Sequence, residues 1–328
     1  MSVLDLLSAK RSALIVVDLQ NAFCHPEGTL GKSGLDMDRL GAIIPKLRPV
    51  IERCQAAGIP VLWTLQEHYE PDDRRSRKRL PTHTSKRKGV SALSGTWDAQ
   101  IVDELKDLVT NPSYVIRKHR FGGFYETRMD IVLKQLGVDA VFVTGATANA
   151  CVETTIREAY LHDYDVVALT DLISGVNAEW EETARQVWQQ YFGVTTESKD
   201  FMDWIDREQE PATIGLHHLL LKVSNLDASI RFYVDVLGFS ERSDAKPLPD
   251  GRRFVAMTQG LGLTEGGPGD LGQVDHMAFE VRNVVALNDR LKKLGVEFER
   301  EIGPGPYGHA IYVKDPDGNI LELFEKLN

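Results

Sequence analysis

Five short runs rich in β-branched residues recur through the first two-thirds of the chain, separated by helical patterns. They are "ALIVVDL" (13–19), "IPVLWT" (59–64), "SYVIRK" (113–118), "DAVFVTG" (139–145) and "DVVALTD" (165–171). Near-continuous apolar runs of this length suit strands covered on both faces. Between them, Ile43–Ala57 precedes Gly58 and Thr127–Leu136 precedes Gly137, the glycine stop signal of a helix end. The alternation predicts an α/β fold, a Rossmann-like three-layer parallel sheet with helices on both sides. Ligands of such sheets bind beyond the carboxyl ends of the strands.

The pattern changes after "DWIDREQEPATIG" (203–215), which is charged, contains Pro211 and holds no period. We read it as a connection, with domains at 1–208 and 216–328 joined through a linker at 209–215. Beyond it the chain carries an internal repeat. His218 and His276 are each succeeded by a Val five residues on (Val223, Val281), an Asn seven on (Asn225, Asn283) and an Ala ten on (Ala228, Ala286). Both copies end in a Leu-Gly pair, with an offset of one residue. Two copies of strand, helix and Gly-terminated turn predict one smaller α+β domain.

Composition excludes several partners. A formal charge of −10 repels nucleic acid and anionic membranes. No apolar run approaches the roughly 20 residues of a membrane span, and "MSVLDLLSAKRS" lacks the apolar centre of a signal peptide. Three scattered cysteines, Cys24, Cys54 and Cys151, do not form a disulfide framework, so a reducing compartment, the cytoplasm, is expected. The basic run 74–89 stands apart in this acidic chain. It reads as a solvated loop or subunit contact, with a lid for an anionic substrate as the alternative.

Three reactive side chains fall at or just beyond predicted strand ends: Asp18, Lys118 and Cys151. Parallel strands place these ends on one edge, so a carboxylate, an ammonium and a thiol converge on one crevice. "CVETTIREAYLHD" predicts a helix with Cys151 at its N-terminus, where the helix dipole and the Lys118 charge are expected to lower the thiol pKa. Asp18 then accepts the thiol proton and returns it to a leaving amine.

The motifs "VVDLQNAF", "KHRFGGFYET" and "TGATANACVETT" together resemble the isochorismatase-like cysteine hydrolases over roughly residues 10–205. The resemblance implies an Asp18–Lys118–Cys151 triad. It also implies a cis peptide at Ala146–Thr147 that aims the N–H groups of Thr147 and Cys151 at an oxyanion. No cofactor is implied for this half. The presence of Cys151 favours amide or ureide hydrolysis over vinyl-ether cleavage. His68 stands alone where nicotinamidases carry an Asp and two His as metal ligands. "DLQNAFCHPEG", "GTWDAQIVDEL" and "KHRFGGFYET" look most like ureidoacrylate and biuret amidohydrolases, which implies a small ureide, carbamoyl or amide substrate. Phe23, Phe121, Phe124 and Tyr125 are the candidates to wall its pocket, with core packing as the alternative role.

In the second domain, alternation puts Leu219, Leu221 and Val223 on one strand face and His218 on the other. Met277, Phe279 and Val281 likewise oppose His276, and Leu321 and Leu323 oppose Glu322. Two His and a carboxylate on one open face make a common set for a divalent Fe, Mn, Ni or Zn ion. "HHLLLKVSNLDASIRFYVDVLGF", "VDHMAFEV" and "GHAIYVKDPDGNILELFE" resemble the glyoxalase/vicinal-oxygen-chelate superfamily of paired βαβββ units. That resemblance implies His218, His276 and Glu322 as metal ligands, and a homo-oligomer through this domain. The Gly-rich "QGLGLTEGGPGDLG" stands where the first unit needs its final strand, and His217 and His309 read as structural, with contact to a ligand as the alternative. The sequence supports three readings: a cysteine amidohydrolase acting on a small-molecule substrate, a metal-dependent isomerase, lyase or dioxygenase in the C-terminal half, or a small-molecule binding module there.

Overall fold

The computed structural model describes residues 2–69, 89–243, 248, 251–266, 274–314 and 320–326. The basic run 74–89 therefore lies outside the described residues except for Gly89. The chain divides into two compact units, Met1–Arg207 and Glu208–Asn328.

The first unit is built on a six-stranded sheet. Its strands are β1 (Ser12–Val17), β2 (Val61–Gln66), β3 (Val115–Lys118), β4 (Ala140–Ala146), β5 (Asp165–Ser174) and β6 (Val194–Thr196). They lie in the order β3-β2-β1-β4-β5-β6, every pair parallel. All five predicted runs are strands; β6 is the addition. Alternate residues of β1 feed two separate cores, as a doubly covered sheet requires. Leu14 and Val16 join the core that contains Leu47, Val50 and Ile51 of the helix Ile44–Ala56 and Trp204 of the helix Ser198–Gln209. Ala13, Ile15 and Val17 join the core that contains Val132 and Leu133 of Met129–Gln135, Ile156 of Glu153–Leu161 and Trp188 of Ala178–Tyr191.

The stretch expected as a linker is mostly regular structure. Residues up to Gln209 continue the helix Ser198–Gln209, whose Phe201, Trp204 and Ile205 are buried. Charged residues dominate the exposed side of this helix and hide its apolar stripe. Strand β7 begins at Ala212, directly after Pro211.

The second unit is a seven-stranded mixed sheet of β7 (Ala212–Val223), β8 (Phe254–Ala256), β9 (Leu261–Glu265), β10 (Val274–Arg282), β11 (Phe298–Pro304), β12 (Gly308–Lys314) and β13 (Ile320–Lys326). The order is β11-β12-β13-β10-β7-β9-β8, so the two repeat copies meet through the antiparallel pair β7 and β10. The second copy is a full βαβββ unit with the helix Val284–Lys293. The Gly-rich stretch corrects one expectation: its residues Leu261–Glu265 form strand β9, parallel to β7. The repeated Asn and Ala have a physical role. Asn225 and Asn283 cap their helices by accepting from the N–H groups of Ala228 and Ala286. The one-residue offset between copies coincides with a π turn, Phe232–Val236, which absorbs an extra residue in the first copy.

Candidate functional site

The strand order reverses direction between β1 and β4, and the crevice beyond their carboxyl ends holds the first candidate site. Asp18 comes directly after β1 with a left-handed backbone (φ 51°), a conformation that turns its side chain out of the strand path. Gly145 near the end of β4 makes the close approach possible: a Cβ there would lie 2.2 Å from the Val17 carbonyl oxygen. The Ala146–Thr147 peptide is cis, as the resemblance implied.

Asp18 and Lys118 are both fully buried, with Lys118 Nζ 2.7 Å from Asp18 Oδ2. The ammonium donates to Gln66 Oε1 (2.9 Å) and to the carbonyl oxygens of Arg120 and Phe121 (3.0 Å each). With those donors engaged elsewhere, Asp18 Oδ2 has no aligned hydrogen bond, while Oδ1 accepts from Thr64 Oγ1 at 2.7 Å. Burial disfavours the Lys118 charge, but Asp18 and the Cys151 sulfur outweigh it and the pKa is raised. The lysine is held as an ammonium.

The Cys151 thiol feels both charges, Lys118 favouring its ionised form and Asp18 opposing it. Two sequence expectations about it are corrected. It sits in a π turn, Ala148–Val152, that runs into the helix Glu153–Leu161, rather than in the first turn of that helix. Its thiol is not acidified at rest either. Burial pushes it up to about 12, with Lys118 opposing and the Asp18 charge reinforcing the rise. Cys24 and Cys54, also free and buried, are pushed up to about 12 by burial as well. What sets Cys151 apart is the Lys118 ammonium, which opposes the rise.

The four aromatic candidates differ in burial and in the core layer they join. Phe23 belongs to one core layer and Phe124 to the other, where it stacks on His162 and packs against Tyr164. Phe121 and Tyr125 are exposed. Their loop is fastened to the helix after Cys151, because Glu158 accepts from the N–H groups of Phe124 (2.8 Å) and Tyr125 (3.3 Å). Sequence reasoning missed Thr64, Gln66 and Gln20. Gln20 pins the Gln66 backbone through both ends of its amide, accepting from Gln66 N (2.8 Å) and donating to Gln66 O (2.9 Å). The signal was present: two polar residues, Thr64 and Gln66, alternate within an otherwise apolar strand. His68 Nε2 lies 3.0 Å from Gln66 Nε2, and its Nδ1 lies 2.6 Å from the Ser91 carbonyl.

In the second unit the register puts His218, Ala278 and Glu322 side by side on β7, β10 and β13. Ala278 is fully buried, and its methyl group leaves the space between the two polar side chains open. The opposite face packs on the helix Val284–Lys293 through Phe279, Val281, Leu321 and Leu323. One nitrogen each from His218 and His276 and one oxygen of Glu322 lie within 4.8 Å of one another. His276 Nε2 is 3.1 Å from Glu322 Oε2, yet this nitrogen and Glu322 Oε1 are buried with no aligned hydrogen-bond partner. Orphaned donor atoms converging on one point fit a divalent cation. Burial pushes His218 down to about 4, so its imidazole is neutral. Burial also pulls on His276, but the Asp275 and Glu322 carboxylates beside it push it up to about 9. A pocket of about 330 Å³ opens beside His218, lined in part by His217, Arg242, Tyr307 and Gln259. His309 is exposed.

Two family models match the chain. The isochorismatase domain matches residues 12–200, and the glyoxalase/bleomycin resistance protein/dioxygenase superfamily matches residues 215–323. Among solved structures, a cysteine hydrolase from Pseudomonas syringae pv. phaseolicola 1448A aligns at 23% identity and a TM-score of 0.53, covering 62% of this chain and 95% of that one. An isochorismatase family protein from Desulfovibrio vulgaris subsp. vulgaris str. Hildenborough aligns at 25% identity and 0.52, covering 60% and 99%. No described helix is long and apolar enough to cross a membrane.

Proposed function

Because the chain belongs to the isochorismatase family, with a glyoxalase-superfamily domain behind it, we propose that its first unit is a cysteine amidohydrolase for a small ureide, carbamoyl or amide substrate. The observation that carries this reading is the fully buried Asp18–Lys118 pair acting on the one cysteine at the sheet's switch point. The resting thiol is neutral, so attack and deprotonation are coupled. Asp18 Oδ2, near Lys118 but without an aligned hydrogen bond, takes the Cys151 proton as Sγ bonds to the substrate carbonyl carbon. Lys118 steadies the sulfur's developing negative charge. The N–H groups of Thr147 and Cys151 receive the oxyanion. Asp18 then delivers the proton to the leaving nitrogen, the C–N bond breaks, and ammonia or an amine departs. Water hydrolyses the thioester, regenerating thiol and carboxylate. No step requires a cofactor.

A second reading is favoured by a specific observation, the convergence of His218, His276 and Glu322. These residues would hold a divalent Fe, Mn, Ni or Zn ion. Such an ion supplies Lewis-acid polarisation of a bound oxygen. On this reading the C-terminal unit is a metal-dependent isomerase, lyase or dioxygenase, or a binding module if nothing turns over. Exposed Ile214, Leu216, Phe232, Val236 and Leu237 on the second unit support a homo-oligomer through that domain, and three free cysteines support a cytoplasmic setting.

The test is ammonia release across small ureides, carbamoyl compounds and amides, with mass spectrometry of the Cys151 peptide. A substrate-derived mass on Cys151, activity lost to iodoacetamide and activity kept in EDTA are expected. Full turnover by Cys151→Ser ends the proposal. Activity lost to EDTA and kept after alkylation moves the function to the second unit.

A further inference from the structure

The two histidines of the second unit occupy equivalent positions in the repeat, and so do the residues just before them, His217 and Asp275. In a regular strand these preceding residues would point to the helix-covered face, away from His218 and His276. The β7–β10 register breaks at both places. Asp275 is the extra residue between the pairs Val274↔Leu221 and His276↔Leu220, and His217 is the extra residue between Ala278↔His218 and Phe279↔Leu216. A β-bulge of this kind re-aims one side chain. Each lands beside its neighbour: Asp275 Oδ2 is 3.1 Å from His276 Nδ1, and His217 Nδ1 is 2.9 Å from His218 Nδ1. His217 is further bracketed by the rings of Tyr307 (5.1 Å) and Phe324 (5.0 Å), both on the metal-facing side of the sheet. Asp275 is held in turn by Arg252 (3.1 Å) and Lys222 (3.4 Å).

We infer that the duplicated bulges supply a matched pair of positioning residues, Asp275 and His217, that orient the histidines for a divalent cation. This rests on the metal reading above. The chemistry is directional. A histidine that ligates through Nε2 carries its proton on Nδ1, and that N–H needs an acceptor. Asp275 is an acceptor by charge. His217 is an acceptor only as the tautomer with its proton on Nε2, which leaves Nδ1 to receive the His218 proton. One copy therefore uses a carboxylate and the other an imidazole for the same task. Asp275 belongs to a bulge that the sequence pattern does not reveal, and His217 reads from sequence as a structural residue.

The experiment is Mn²⁺ and Zn²⁺ titration of the full chain by calorimetry, comparing wild type with His217→Phe, His217→Asp, Asp275→Asn and His218→Ala. His217→Phe and Asp275→Asn are expected to weaken binding on the order of 10–100-fold. His217→Asp, which restores an acceptor, is expected to stay within a few-fold of wild type. Nitrogen-15 spectra of the zinc-loaded protein are expected to show His218 protonated on Nδ1. Unchanged affinity in His217→Phe, or a His218 ring protonated on Nε2, overturns the orienting role while leaving the metal site standing. If wild type binds neither ion, the metal reading falls and this inference with it. If His217→Phe fails to fold, His217→Asp and the wild-type tautomer still decide.

Discussion

The two units place their reactive groups by opposite rules. In the first, both sheet faces are sealed, and Asp18, Lys118 and Cys151 can only emerge at strand ends or in the turns beyond them. In the second, His218, His276 and Glu322 project from within their strands, because one face is packed on helices and the other is left for polar groups. Where a sheet is covered therefore decides where its chemistry can be. Full coverage moves the site to the rim, and half coverage allows it on the face.

The consequences differ in stability as well. The rim site keeps its charges in a fully buried pair. Replacing Lys118 by Met strands the Asp18 carboxylate and is expected to cost about 3–5 kcal/mol in urea unfolding, the largest effect among these variants. The double variant Asp18→Asn/Lys118→Met is expected to recover most of it. A loss below ~1 kcal/mol would mean the pair is not buried as a pair, and the contrast between the units would fail.

Gln66 sharpens the same comparison at a smaller scale. Its amide receives Lys118, so Gln66→Leu removes one hydrogen bond to a charged donor, worth roughly 1.5–3 kcal/mol. A fall in kcat on the order of 10–100-fold with little change in KM is expected from steady-state kinetics. A raised KM with kcat unchanged would place Gln66 in substrate binding instead.

The smallest effect is a slope. A group with a pKa of about 12 loses its proton only in strong alkali. Below that value the thiolate fraction rises about tenfold per pH unit. Alkylation of Cys151 by iodoacetamide is therefore expected to climb without a plateau from about pH 7 to 10. A plateau near neutral pH would show an ionised resting thiol and return the mechanism to simple thiolate attack.

Most of the first unit was legible because buried parallel strands leave an unmistakable apolar run. β6 was not, since Val194–Thr196 is too short to carry a pattern. The helix Ser198–Gln209 was masked by the charges on its solvent side. The three principal residues of the rim site were legible through their strand-end positions, but their electrostatics were not. Burial, which raises the Cys151 pKa, is invisible until the neighbours are in place. In the second unit, alternation revealed His218, His276 and Glu322 and concealed His217 and Asp275, because a bulge breaks the very period on which that reading depends.

The contact at Gly145 carries a last implication. Because a single methyl group there would strike the Val17 carbonyl, the close crossing of β1 and β4 is written into main-chain geometry, not into the reach of side chains. Outer helices can then change in composition while this crossing keeps its spacing. One added carbon at this crossing would do more damage than many substitutions on the surface.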